Sequence, residues 1–424
     1  MPGIKRQGFG RIPWHEKFIH RDLNRIYPRR LNYLNSIADF IGCVLRAKNT
    51  GFEDIVIDFS REDPEDKAYY PNILVPITAF VDNLIQTEGL EFNVENDTRN
   101  LTGNGFLNPP SASQMDGYPQ VLNVVWRFET GEDVKRLVDG YMDDIYKQEK
   151  FDSKQILLWL EWCLNEVMDN VKNHSESQSG FVMGQIHTSS KNIAFCVADA
   201  GRGIYKSFRD SSIMWPKDER DALEMALRQG VTRDPNVGQG NGLWGLHEVA
   251  AMTNGRLRLG SAGSMLNVDQ RGLFIVYPYL NKDQGGTVVD FSFDYSKPVD
   301  LRNVLGGHEP ESMKVYNASD KKTGAIIYKL IDQRSGFGTR SSGQRIRNEI
   351  SNYLLSTDTV VVDFADINIV SSSFADEFIG KIYVSIGPLQ FSNKIILKNM
   401  NETIAAIVNR AILQRVAQSM AQQQ

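Results

Sequence analysis

The sequence predicts an α/β protein, more closely α+β, built on two or three cores. Three observations predict it. The chain has 424 residues with 41% hydrophobic and 23% charged side chains, beyond the span of one ordinary domain. Helical and strand periodicities alternate at both ends. Between them, Leu157 to Leu246 runs as helix, strand, long polar interval and glycine-rich turn.

In chain order, residues 1–30 are basic and aromatic and read as an N-terminal arm. Residues 31–120 read as a small α/β unit with its linker. Leu31 to Leu45 is a helix, Asp54 to Ser60 a strand, Pro71 to Gln86 a helix and Leu90 to Val94 a strand. The following stretch to residue 120, with Pro109-Pro110 and several serines, reads as loop. Val121 to Phe128 is then expected as a strand and Gly131 to Gln148 as a helix.

The central domain is expected over residues 121–297. Leu157, Leu160, Leu164, Val167, Met168 and Val171 form one apolar stripe of a helix. Glu166 and Asn170, four apart, share another face beside Asp169. A carboxylate and an amide carbonyl on one rigid support suit a general base next to a Mg²⁺ oxygen ligand. The bland alternative is a solvated helix face. Ile193, Phe195 and Val197 alternate along a strand ending in Asp199-Ala200-Gly201-Arg202-Gly203, whose glycines let a ligand lie against backbone. An aspartate there can accept a hydrogen bond from an exocyclic amine such as that of adenine. Gly238-Gln239-Gly240-Asn241-Gly242-Leu243 then leads into an apolar helix, aiming free N–H groups at an anion. Gly285-Gly286-Thr287 opens the alternating strand to Phe293. Each motif alone also reads as an ordinary turn; their joint order and spacing favour one site.

Those motifs resemble the GHKL superfamily, the ATP-binding domains of gyrase-type, MutL-type, chaperone and histidine-kinase proteins. Asn165 to Asn170 resembles its N-box, Asp199 to Gly203 its first glycine box, Gly238 to Leu246 its second, and Gly286-Thr287 its closing pair. The resemblance implies Glu166 as water-activating base, Asn170 as Mg²⁺ ligand and Asp199 as adenine reader. It also implies ATP contacts from Gly201, Gly203, Gly238, Gly240, Asn241, Gly242, Leu243 and Thr287. The interval from Ile204 to Val237 matches the family's lid, with a short helix over Asp221 to Gly230 and with Thr232 and Arg233 as candidate phosphate contacts.

A linker is expected at 298–310 and a second α/β domain at 311–424. Strands over Ala325 to Ile331, Thr359 to Ala365 and Lys394 to Leu397 alternate with helices over Ser341 to Leu355, Phe374 to Val384 and Glu402 to Val416. Val361-Val362-Asp363-Phe364 followed by Ile369 to Phe378 resembles a STAS-like domain. In that family a turn serine is phosphorylated by a GHKL-type kinase. Here Ser371 and Phe374 stand where the family turn has aspartate and glycine, so the serines read first as helix caps, with Ser373 as the alternative phosphoacceptor. Val56-Ile57-Asp58-Phe59-Ser60 is similar to Val361 to Ala365, which makes a STAS-like N-terminal domain the companion expectation.

Formal net charge is −5 with no long basic block, so nothing indicates a nucleic-acid or anionic-membrane surface. The three cysteines, Cys43, Cys163 and Cys196, are odd in number and lie in apolar surroundings, as reduced core residues do. No apolar run reaches the ~20 residues that cross a bilayer, and a cytoplasmic protein is expected. The functional expectation is a Mg²⁺-dependent ATP-binding protein, a slow ATPase whose nucleotide state controls partner binding or self-association through STAS-like domains. An anti-sigma-type serine kinase and a non-hydrolysing nucleotide-sensing adaptor are the alternatives.

Overall fold

A computed structural model describes residues 18–64, 68–149, 151, 155–211, 215–228, 242–269, 272–276, 285–297, 325–332, 336–356 and 359–421. It is a mixed α/β molecule of two compact units, residues 1–308 and 309–424. The expected linker at 298–310 lies outside the described residues.

The first unit begins with β1 (Ile19–Asp22) and β2 (Arg25–Pro28), a hairpin turning through Leu23 at φ 53°. Ile19–Asp22 and Arg25–Pro28, at the end of the expected N-terminal arm, are thus paired strands, anchored by the buried side chains of Ile19, Ile26 and Tyr27. Strands of four residues carry too little alternation to declare themselves. There follow α1 (Asn35–Asn49), β3 (Asp54–Asp58), α2 (Pro71–Glu88) and β4 (Glu91–Glu95). The sheet order is β1-β2-β3-β4, with β2, β3 and β4 parallel.

A short strand, β5 (Trp126–Phe128), precedes α3 (Gly131–Gln148) and α4 (Gln155–His174). The strand expected from Val121 is thus confined to its last three residues. The earlier ones are held as a buried loop, because the Val121 and Leu122 N–H groups donate to the Asp144 carboxylate and the Trp126 indole donates to the Val121 carbonyl. A reciprocal cap between Thr130 and Asp133 starts α3. Next come β6 (Gly180–His187), β7 (Asn192–Asp199), α5 (Ile204–Arg209), α6 (Glu219–Ala226), α7 (Gly242–Met252), β8 (Arg256–Ser261), β9 (Ser264–Asp269), β10 (Gly272–Val276) and β11 (Thr287–Asp294). They form a seven-stranded antiparallel sheet of order β10-β9-β8-β11-β7-β6-β5.

At β6, β7 and β11 both faces of that sheet are largely buried, so β7 carries apolar residues on each side. On one face Phe195 meets the Tyr141 ring of α3 edge-on at 4.9 Å, and Phe293 meets Trp159 of α4 at 4.8 Å. On the other, Phe181, Met183, Cys196, Ala198, Met265 and Val288 share one core with the N-terminal module, whose α2 packs on β6, β7 and β11. Helix α2 is apolar nearly all round, as a helix enclosed on several sides must be.

The second unit contains β12 (Ile326–Lys329), α8 (Arg340–Ser356), β13 (Val360–Asp363), α9 (Ser372–Ala375), a π turn (Asp376–Gly380), α10 (Lys381–Ile386), α11 (Pro388–Lys394), β14 (Ile395–Lys398) and α12 (Glu402–Ala421). Its sheet is parallel, in the order β12-β13-β14. The order of β2-β3-β4 is the same, and so is a local device. Asp58 ends β3, accepts from Ser60 N–H at 2.9 Å and from the Asn96 amide at 2.8 Å. Asp363 ends β13, accepts from Ala365 N–H at 2.9 Å and from the Asn399 amide at 2.7 Å. Asn96 and Asn399 each follow the neighbouring strand, both at φ 58°.

No helix among the described residues is long and apolar enough to cross a membrane.

Candidate functional site

Four separated segments meet at one end of the seven-stranded sheet. Helix α4 contributes Glu166 and Asn170, strand β7 ends there in Asp199, β11 begins there with Thr287, and α7 begins there with Gly242 and Leu243. These residues and Gly203 line one cleft of about 930 Å³, part of it open solvent. The strands bring Asp199 and Thr287 together because they are register partners across the β7–β11 pair.

Asp199 is 5% exposed. Its carboxylate accepts the Gly201 N–H at 2.8 Å and the Thr287 N–H. Burial nevertheless dominates these two donors and pushes its pKa up to about 7. Gly201 does not line the cleft but shapes it by closeness of backbone. A Cβ at this position would stand 2.1 Å from the Ser175 carbonyl oxygen. The turn is locked by Arg202, whose guanidinium donates to the His174 carbonyl at 3.1 Å and pairs with Glu176 and Asp210.

Glu166 is half-buried. Burial and then the neighbouring Asp169 carboxylate raise its pKa, against a hydrogen bond from the Trp162 indole. A carboxylate raised in this way is a better proton acceptor than an exposed one. Gly242 is packed directly against it, since a Cβ there would lie 2.7 Å from Glu166 Oε2. The start of α7 therefore abuts the carboxylate, with Asn170 one turn farther along α4. An amide oxygen beside carboxylates is a donor set that suits Mg²⁺, which takes one or two protein oxygens alongside phosphate oxygens. Among the described residues, no group of three His, Cys, Asp or Glu side chains gathers into an all-protein metal cage.

Thr232, Arg233, Gly238, Gly240 and Asn241 lie outside the described residues, as do residues 212–214 and 229–237 of the lid interval. The described part of that interval holds α5 and α6, with Asp218 capping α6 through the Asp221 N–H. His174, Ser175, Ser207 and Phe208 also line the cleft and were missed in the sequence. His174 carried a legible signal, because Glu166, Asn170 and His174 are spaced by fours along α4.

In the second unit Ser371 is the helix cap, accepting the Phe374 N–H at 3.0 Å. Ser373 is partly buried and shares a hydroxyl–hydroxyl bond of 3.0 Å with Ser371, while Ser372 is exposed. Beyond the cap, Glu377 is buried and bonded to Arg347 at 2.6 Å and Lys381 at 2.7 Å. Asp376 holds Arg415 through two hydrogen bonds.

No curated protein matches the chain. A family model described as a STAS-like domain of unknown function (DUF4325) matches residues 342–405, which run from α8 through β13 and β14 to the first turn of α12; the expected C-terminal STAS-like domain is thus found.

Proposed function

We propose that residues 121–297 bind ATP with Mg²⁺ in the manner of the GHKL superfamily and act as a slow ATPase switch, whose nucleotide state governs protein contacts made through the STAS-like domain. One observation carries the reading: Glu166, Asn170, Asp199, Gly242 and Thr287, drawn from four motifs far apart in sequence, line the same cleft.

In this reading the adenine amine donates to the buried Asp199 carboxylate. The phosphates lie toward the start of α7, where helix N–H groups favour negative charge. Glu166 takes the proton of the attacking water, and its raised pKa suits that task. Asn170 would hold Mg²⁺, which supplies neutralising charge to the phosphate oxygens. The N-terminal module, residues 18–107, is read as a second STAS-like fold. Its support is the shared parallel strand order and the matching Asp58–Asn96 and Asp363–Asn399 pairs.

Incubating the protein with Mg²⁺ and ATP labelled on the γ-phosphate tests the reading. Released phosphate is the expected product. Label on a serine of the chain or of a partner would select the kinase alternative, and bound but unchanged ATP the adaptor.

A further inference from the structure

We propose that Ser261 is a positioning residue for the cleft: from the end of β8 its hydroxyl caps α5 and fastens that helix to the start of β11. The effect on nucleotide rests on the ATP-binding reading above; the clamp itself does not.

Ile204, Ser207 and Phe208 of α5 line the cleft, and so do Thr287 and Val289 of β11. Ser261 is 3% exposed and does not line it. The first N–H groups of a helix have no intrahelical acceptor, and a side-chain oxygen at the N-cap ordinarily supplies one. Here the N-cap is Gly203, at φ 77°, which has no side chain to offer. The Ser261 Oγ takes that role from 57 residues away, accepting the Ile204 N–H at 2.9 Å. A Cβ at Gly203 would stand 2.7 Å from that Oγ, so the glycine on the turn and the serine on β8 form one device.

A hydroxyl can accept and donate at once, and this one does both. It donates to the Gly286 carbonyl at 3.1 Å. Gly286 is in turn set against the end of β7, where its Cβ would fall 2.5 Å from the Asp199 carbonyl oxygen. Ser261, Thr287 and Asp199 are register partners in one row across β8, β11 and β7. A single hydroxyl therefore ties α5 to the row of backbone that carries Asp199 and Thr287. Across the hairpin, Ser264 of β9 pairs in register with Ser261 but bonds elsewhere, to Glu219 of α6 at 3.2 Å.

Ser261→Ala removes the hydroxyl without adding bulk, and Ser261→Thr keeps it. In the protein without nucleotide, amide exchange at Ile204 should be about tenfold faster in Ser261→Ala, the contribution of one hydrogen bond, and restored in Ser261→Thr. Unchanged exchange along β6 and β7 shows that the fold is intact. Ser264→Ala, the same deletion in the same hairpin, should leave Ile204 unmoved. In turnover, Ser261→Ala should raise KM for ATP about tenfold with kcat unchanged, because a wall that holds nucleotide before and during reaction contributes uniform binding. An Ile204 amide indifferent to Ser261, equal acceleration in Ser264→Ala, or an unchanged KM overturns the proposal. If Ile204 follows Ser261 while the wild-type protein neither binds ATP nor releases phosphate, the clamp stands and the ATP-binding reading falls.

Discussion

If Asp199 reads adenine as proposed, its ionisation makes that recognition dependent on pH. Its carboxyl is buried, and its pKa stands at about 7. An adenine amine is a donor and needs the ionised form as acceptor. Affinity is then the intrinsic affinity scaled by the ionised fraction of the empty site. That fraction is about one-eleventh at a pH one unit below the pKa and about ten-elevenths one unit above. Adenosine should therefore bind about tenfold more tightly at about pH 8 than at about pH 6. Adenosine is the better ligand for this test than ATP, because no phosphate ionises. Calorimetric titration of wild-type and Asp199→Asn proteins at both pH values gives the comparison. The variant should bind more weakly and without the pH step. A wild-type affinity flat across the interval, or an equal step in Asp199→Asn, would refute the assignment of Asp199 as the base reader.

The same group bears on stability with a definite sign. Its folded pKa, about 7, lies above the ordinary aspartate value of about 3.9, so the folded protein binds more protons between those values. Stability of the nucleotide-free protein should fall as pH rises through that window, by on the order of 4 kcal/mol from this group, and then level off. Asp199→Asn should flatten the fall.

Three further outcomes are expected. Glu166→Ala should leave nucleotide binding intact and slow phosphate release by about 10²–10⁴, the usual contribution of a positioned base, and unchanged release would remove Glu166 from the mechanism. A chain beginning at residue 121 would expose Phe181, Met183, Cys196, Ala198, Met265 and Val288 to water, so it should be insoluble; a soluble, monodisperse fragment would contradict the shared core. In the second unit, the Arg415 hydrogen bonds lower the Asp376 pKa, and for Glu377 the Lys381 and Arg347 bonds outweigh the burial that would raise it. Stability from these groups is complete above the ordinary carboxylate range and lost as pH falls through their depressed values. A thermal melt should therefore shift down at about pH 3, and an unshifted melt would speak against the network.

Much of this fold was legible where periodicity is long. The α4 stripe, the β7 and β11 alternations and the Asp58 and Asp363 strands all stand where their side-chain patterns put them. Strand β6 was not legible, because Gly180 and Gly184 break its apolar run. Packing explains those glycines: a Cβ at Gly180 would lie 2.2 Å from the Phe128 ring, and one at Gly184 would lie 2.3 Å from the Phe195 ring. The residues that lower strand propensity are the ones that admit the aromatic core. Strand β8 did alternate, Arg256-Leu257-Arg258-Leu259, with both leucines fully buried. Its charged face hides the strand signal, because Arg258 bonds Asp290 on β11 and Asn267 on β9, partners that sequence order does not reveal.

The two α/β modules show how one strand order can serve two ends. Each sets an aspartate at the end of its central strand and pins it with a left-handed asparagine beyond the next strand. What separates them is the helix that follows. In the first module α2 buries Ile73, Leu74, Val75, Ile77, Phe80 and Val81, residues too closely spaced to share one face, and part of that surface closes the back of the seven-stranded sheet. In the second, the helical stretch from Ser372 interleaves Phe374 and Phe378 with Asp376, Glu377 and Lys381, and its charges are met by Arg347 and Arg415 of the same unit. An all-round apolar helix must be enclosed, whereas an amphipathic one satisfied within its own domain leaves that domain free of such an obligation. Substituting charge for the sheet-facing apolar residues of α2 should therefore damage the cleft from behind, through β6, β7 and β11, although no residue of α2 lines it.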